Sequence, residues 1–302
     1  MEDIKTTLKF GTTIAKNLAL KSDTIAALYQ RQRTKQGFSP EKDQAEYPLE
    51  VFYKHATALA PVLKGGLQGA DVLEIGPGGN AGVSFLMLLA GARSATCLDV
   101  VPWMQGTGPD GLYPALIQAA MQDPEKYQVS ADYVDLANAD PARLGHELMD
   151  RFTYLYPQDI ATTTLPDASL DIIFSHACFE HFADPDGSIA QIARLLRPGG
   201  ATSHVVDLRD HRDFSRPLDF LRYNDTLWKL STSNRPNGVR NRWRRAEYQA
   251  AFERHGMNVV YLEASQQTQV TEEMRSQYQP HFQAMSLEEL GVISILLVAR
   301  KQ

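Results

Sequence analysis

The chain has 302 residues, 43% hydrophobic and 22% charged, with a net charge of −6, enough to bury a core in one large α/β domain or two small ones. The negative balance excludes general binding to nucleic acid through the phosphate backbone, and no apolar run reaches spanning length for a membrane. Cys97 and Cys178, the two cysteines, lie in apolar runs. They read as buried thiols of a reducing compartment, and the Met1-Glu2-Asp3 start without a basic n-region points to a cytoplasmic protein.

Residues 1 to about 36 carry Ile4, Leu8, Ile14, Leu18, Ile25 and Leu28 on a helical period, with a basic face of Lys5, Lys9, Lys16 and Lys21. Such a segment packs on the main domain or on a second subunit, which leaves a homodimer through these helices open; a peripheral membrane helix is the alternative. After a polar break at 36–40, a second helix is expected near Leu49 to Leu63. We therefore expect an N-terminal helical cap over 1–66 and a main domain over 67–302.

The main domain opens with Val72-Leu73-Glu74-Ile75, followed by Gly76, Gly78 and Gly79, and then by Val83, Phe85, Leu86, Leu88 and Leu89 at helical spacing. A strand, a glycine turn and a helix bring the backbone close to a ligand, with N–H donors at the helix start. A nucleotide-type cofactor suits that geometry. Gly76-x-Gly78-x-x-Ala81 also satisfies the dinucleotide fingerprint, so a nicotinamide or flavin site stays open here.

A second strand, Ser94 to Val100, carries Asp99 about twenty residues past the glycines, where an acid hydrogen-bonds ribose hydroxyls; a surface acid at a strand end is the plainer reading. Residues 101–151 are long for a crossover and rich in acid, with turn signals over 106–111 and a helix from Tyr113 to Met121. An insertion that covers a site is expected. A weak strand follows near Phe152 to Tyr156, then Asp159. Leu165 to Ser175 reads as a turn feeding an apolar strand, and Asp184-Pro185 starts a helix ending before Arg197-Pro198-Gly199-Gly200. Ala201 to Val206 is the next strand. Further insertions occupy 207–243 and 264–291; Arg245 to His255 is a helix, and Met257 to Glu263 and Val292 to Ala299 are strands. The alternation means a parallel sheet with helices on both faces.

Three segments together resemble the class I S-adenosylmethionine-dependent methyltransferases over roughly residues 70 to 300. They are Val72 to Gly79, Leu165 to Ser175 running into Phe179-Glu180-His181, and Leu195-Leu196-Arg197-Pro198-Gly199-Gly200. The resemblance implies a Rossmann-like doubly wound seven-stranded sheet with an antiparallel last strand, and S-adenosyl-L-methionine as cofactor. It also implies that Gly76, Gly78 and Gly79 approach the methionine part while Glu74 organises the loop. Asp99 would bind both ribose hydroxyls, Val100 would press on the adenine, Asp159 would accept its exocyclic amine, and Ser175 and His176 would face the methyl group.

Methyl transfer needs an acceptor atom in line with the departing sulfur, and an alcohol acceptor gains from a general base. His211, just past the fifth strand, is the first candidate and His176 the second; His181 and Asp207 are candidate substrate ligands, and His204 reads as a core residue. The compact spacing of a zinc site is missing, so no metal is expected. The segment 208–255 is basic, with eleven basic against six acidic residues. Arg240 and Arg242 there have the geometry to hold a carboxylate or phosphate on a small-molecule acceptor, or they line a solvated surface. A small polar acceptor, methylated on oxygen before nitrogen, is the function expected. A nicotinamide-dependent oxidoreductase and a binding or scaffold protein that keeps the cofactor fold are the alternatives.

Overall fold

The structure is a computed structural model and describes residues 2–36, 45–104, 111–233 and 238–302. Two helices come first, α1 (Glu2–Ala19) and α2 (Asp23–Gln36), so the helical stretch is broken by a turn at 20–22. Then follow α3 (Glu46–Leu59), β1 (Asp71–Ile75), α4 (Gly82–Leu89), β2 (Ser94–Leu98), α5 (Leu112–Ala120), α6 (Val134–Ala139), α7 (Pro141–Met149) and β3 (Phe152–Leu155). The second half runs β4 (Leu170–His176), α8 (Pro185–Leu195), β5 (Leu196–Asp207), α9 (Asp225–Thr232), α10 (Arg245–Arg254) and β6 (Met257–Gln267). Three short helices, α11 (Glu272–Ser276), α12 (Pro280–Gln283) and α13 (Leu287–Gly291), precede β7 (Val292–Lys301).

The seven strands form one sheet in the order β3-β2-β1-β4-β5-β7-β6. β1 to β5 pair in parallel, and β7 runs antiparallel to both β5 and β6. Alternate residues of the central strands face opposite layers, as strand geometry requires. Val72, Ile172 and Phe174 meet α3, α4, α5 and α7, whereas Leu73, Ile75 and Ile173 meet α8 and α10. α4 is buried along its whole length, which explains its uniformly apolar run. The Pro-Gly-Gly turn differs from its expected place after the helix: it lies inside β5, at a register irregularity opposite Leu170–Ile172. A Cβ on Gly200 would come within 2.9 Å of the Asp171 carbonyl oxygen, so the bulge needs glycine there.

Three expectations about organisation change. α3 carries Leu49, Phe52 and Leu59 in the main core, so the segment placed in a cap over 1–66 contributes a wall of the domain. In 101–151, α5 and α7 bury Tyr113, Leu116, Leu144 and Leu148 in that same core; they form the crossover between β2 and β3, and the turn signals at 106–110 lie outside the described residues. Finally, the two later insertions build one lobe, in which Leu218, Phe220 and Trp228 pack with Val270, Tyr278, Phe282 and Leu290. α1 docks on this lobe: Phe10 stacks on Tyr223 at 3.8 Å and Asn17 donates to the Leu230 carbonyl at 2.7 Å. No helix among the described residues is long and apolar enough to cross a membrane.

Candidate active site

The carboxyl ends of β1, β2, β4 and β5 open into one pocket of about 850 Å³. Its floor is the glycine loop. Gly76 has φ +70°, and a Cβ there would sit 2.7 Å from Cys178 Sγ; Gly78 also has positive φ. Only glycine meets both demands, conformation and clearance. The helix behind the loop is less open than the sequence suggests. Asn80 Oδ1 accepts from Gly82 N–H, and Glu74 Oε2 accepts from Ser84 N–H at 3.2 Å and Ser84 O–H at 2.6 Å. The buried Glu74 therefore caps α4 and ties the loop to it, and two of the first amides serve the chain itself. Burial is the largest influence on this carboxyl and raises its pKa to about 7, with the Ser84 hydrogen bonds pulling the other way.

Beside the loop, Asp99 directly follows β2, lines the pocket and holds Val101 N–H through Oδ1 at 2.9 Å. Burial pushes its pKa up to about 6. Val100, 43% exposed, and Asp159 border the same recess; one Asp159 oxygen is committed to Ala161 N–H, capping a short 3-10 turn. Trp103 and Ile160 complete this side.

The other half of the pocket lies between α3 and the ends of β4 and β5. Tyr47, Val51 and Lys54 line it from α3, a helical stripe at i, i+4 and i+7. Burial raises the Tyr47 phenol to about 12. His176, His181, Asp207, His211 and Arg240 all face the cavity. His211 Nε2 lies 3.1 Å from Asp207 Oδ2, within ion-pairing distance although the ring is not aligned for a hydrogen bond. Arg209 grips both Asp207 oxygens at 2.8 and 2.7 Å. Burial works against the Asp207 charge, but the adjacent His211 ring and the two Arg209 hydrogen bonds outweigh it and keep the carboxyl below the usual range. Burial lowers His181 to about 4, so it is a neutral ring at neutral pH.

Two expected site residues are elsewhere. Ser175 is fully buried, with its Oγ 2.8 Å from His204 Nδ1, and does not line the pocket. Because side chains alternate along β4, Ser175 turns into the α8 layer while His176 turns to the cavity. Arg242 is also diverted. Its guanidinium donates to the carbonyls of Phe220 and Tyr223 and to Asp225 at 2.5 Å, which fixes the insertion lobe. His204 is the core residue expected, buried among Phe179 and Phe252.

For a divalent cation, Glu180, Asp207 and His211 offer ligand atoms within 4.8 Å of one another. Both Asp207 oxygens already hold the Arg209 cation, which competes with such an ion.

A methyltransferase-domain family model matches residues 47–262. The chain belongs to the class I S-adenosylmethionine-dependent methyltransferases. As a methyltransferase it takes S-adenosylmethionine as cofactor, and the nicotinamide reading of the glycine loop falls away. The glycine cradle and the neighbouring carboxylate of Asp99 fit that molecule: a backbone approach that a Cβ would fill, next to an acceptor for ribose hydroxyls. The match begins within α3, in line with the packing of that helix. Curated proteins give no match. Among solved structures, a provisional methyltransferase of Haloferax volcanii in complex with the Trm112 activator is 21% identical, covering 83% of this chain and 91% of that one, TM-score 0.44. A Galdieria sulphuraria protein assigned provisionally as a sarcosine dimethylglycine methyltransferase is 17% identical, covering 84% and 85%, TM-score 0.48. An S-adenosylmethionine-dependent methyltransferase from Mesorhizobium loti is 17% identical, covering 85% and 98%, TM-score 0.41.

Proposed function

We propose that this methyltransferase acts on an oxygen of a small polar acceptor, such as a sugar, a natural-product scaffold or a metabolite, with His211 as general base. The observation that carries the reading is His211 beside Asp207 on the pocket wall beyond β5. A carboxylate next to one ring nitrogen favours the hydrogen there and leaves the other nitrogen basic, the arrangement by which an imidazole accepts a hydroxyl proton. Asp207 then stabilises the imidazolium that forms.

S-adenosylmethionine supplies an electrophilic methyl group on a sulfonium. Around it, Gly76, Gly78 and Gly79 take the methionine part, Glu74 holds the loop, and Asp99 accepts from both ribose hydroxyls. Val100 covers the adenine and Asp159 accepts its exocyclic amine through the oxygen not used by Ala161. Arg240 and His181 contact the acceptor inside the pocket, where partial shielding from water strengthens these contacts. The exposed Leu18, Ile25 and Leu28 of α1 and α2 support a homodimer through the N-terminal helices.

The test is incubation with methyl-labelled cofactor and a panel of hydroxylated and amino acceptors, with the product mapped by tandem mass spectrometry. Label on an acceptor oxygen is expected; label on nitrogen, or on no small molecule, would contradict the reading.

A further inference from the structure

Behind the pocket wall lies a chain of three polar groups from three elements. His55, on α3, is fully buried; its Nδ1 is 2.8 Å from Ser203 Oγ on β5, and its Nε2 is 3.3 Å from His176 Nδ1 on β4. The two rings meet edge to face, with centroids 5.5 Å apart. His176 in turn lines the pocket. We infer that His55 is a positioning residue that donates its Nε2–H to His176 Nδ1 and so fixes His176 as an Nε2–H donor toward the acceptor.

The direction follows from the buried hydroxyl. With both imidazoles neutral, the chain has two consistent hydrogen patterns, because each ring carries one N–H and one lone pair. In the inward pattern His55 donates to Ser203, and the hydrogen of that hydroxyl needs another acceptor. Ser203 is fully buried, and among the described residues His55 Nδ1 is the one hydrogen-bond partner of its Oγ. Buried polar hydrogens are rarely left unused. In the outward pattern each buried hydrogen of the chain has its acceptor, Ser203 O–H on His55 Nδ1 and His55 Nε2–H on His176 Nδ1, and His176, which lines the pocket, carries its own hydrogen on Nε2. His55 stays neutral because it is fully buried, and a charge on it would be opposed by the Lys54 ammonium and by any charge on the neighbouring His176 or His204 rings.

The consequence for His176 is a change of role, and that part rests on the oxygen-acceptor reading. A ring that presents N–H cannot take the acceptor's proton; it donates to the acceptor oxygen while the O–H faces His211. During transfer the proton passes from the acceptor oxygen to His211, His176 keeps its own hydrogen, and its N–H supports the negative charge that develops on oxygen.

The test is long-range proton–nitrogen spectroscopy on the full chain labelled with nitrogen-15 histidine, above neutral pH, with the His176 signals assigned by their loss in His176→Gln. The expected spectrum has His176 protonated at Nε2 and bare at Nδ1. A proton on His176 Nδ1 would overturn the inference. His55→Gln retains an N–H donor at that reach and is expected to keep the His176 tautomer and most of kcat. His55→Phe is expected to mix the tautomers and lower kcat about tenfold or more, with KM for S-adenosylmethionine unchanged. An unchanged tautomer and kcat in His55→Phe would also overturn it. If His55→Phe fails to fold, the wild-type spectrum decides. An Nε2–H tautomer with no oxygen-methylated product would leave the positioning role standing and remove the acceptor reading instead.

Discussion

At the scale of single residues, two buried carboxyls give the pocket a pH dependence of definite sign. Asp99 has its pKa raised to about 6 by burial, so below that pH it is protonated and can no longer accept from both ribose hydroxyls as a charged carboxylate. Affinity for S-adenosylmethionine, measured by titration calorimetry, is expected to weaken as pH falls through about 6. Glu74 acts on stability. Its folded pKa, about 7 against an ordinary 4.5, means the native protein holds this proton more tightly than the unfolded chain. Its contribution is therefore fully present below about 4.5 and lost as pH rises through about 7, by about 3 kcal/mol in all. The melting temperature of the cofactor-free protein should fall between about pH 4.5 and 7, the window set by those two values. Glu74→Gln, which keeps an oxygen for Ser84, should flatten the fall; an equally steep fall in the variant would show that another group is responsible. His211→Ala should leave cofactor binding intact and lower kcat by about a hundredfold or more, and full activity in that variant would remove His211 as base.

At the scale of elements, the arginine run at the end of the 207–243 insertion separates into a ligand-facing member and structural ones. Arg240 reaches the pocket. Arg242 and the fully buried Arg244 instead satisfy backbone carbonyls: Arg244 donates to those of Leu208, Leu290 and Val292, and burial lowers its pKa to about 10. Arg242→Ala should lower the melting temperature and leave KM for the acceptor near wild type, because it strips donors from Phe220 and Tyr223. Arg240→Ala should raise KM and leave the melting temperature nearly unchanged. The reverse pattern in thermal and steady-state measurements would contradict the assignment. From sequence the two arginines were indistinguishable, since both lie two apart in a polar, irregular stretch. What separates them is which carbonyls the insertion lobe leaves to be paired, a tertiary property. α3 shows the converse: the spacing of Tyr47, Val51 and Lys54 carried a helical face with polar members, a signal readable in the sequence but obscured by assigning that helix to a cap. His55 carried no such signal, because its importance lies in β4 and β5.

At the scale of the whole molecule, the sheet was legible because β1 and β4 carry short apolar runs next to glycine or acid, and Gly76, Asp99 and Asp207 mark three strand ends that converge on the pocket. The strand-end rule of open α/β sheets then gives the expected place of the cofactor. The insertions were not legible as one body. Leu218, Phe220 and Trp228 lie far in sequence from Tyr278, Phe282 and Leu290, and only folding joins them into a third core. α1 docks beside that core through Phe10 and Asn17, and Leu18, Ile25 and Leu28 stay exposed. Sedimentation should accordingly give a dimer, converted to monomer by the triple replacement of Leu18, Ile25 and Leu28 with glutamate; a wild-type monomer would remove the proposed interface. The central claim, that the glycine loop and Asp99 bind S-adenosylmethionine, is tested most directly by calorimetric titration of S-adenosylmethionine and of NAD into the wild type and Asp99→Ala. Saturable binding of S-adenosylmethionine to the wild type alone, with no heat from NAD, is the predicted result. Binding of NAD, or undiminished affinity for S-adenosylmethionine in Asp99→Ala, would contradict it.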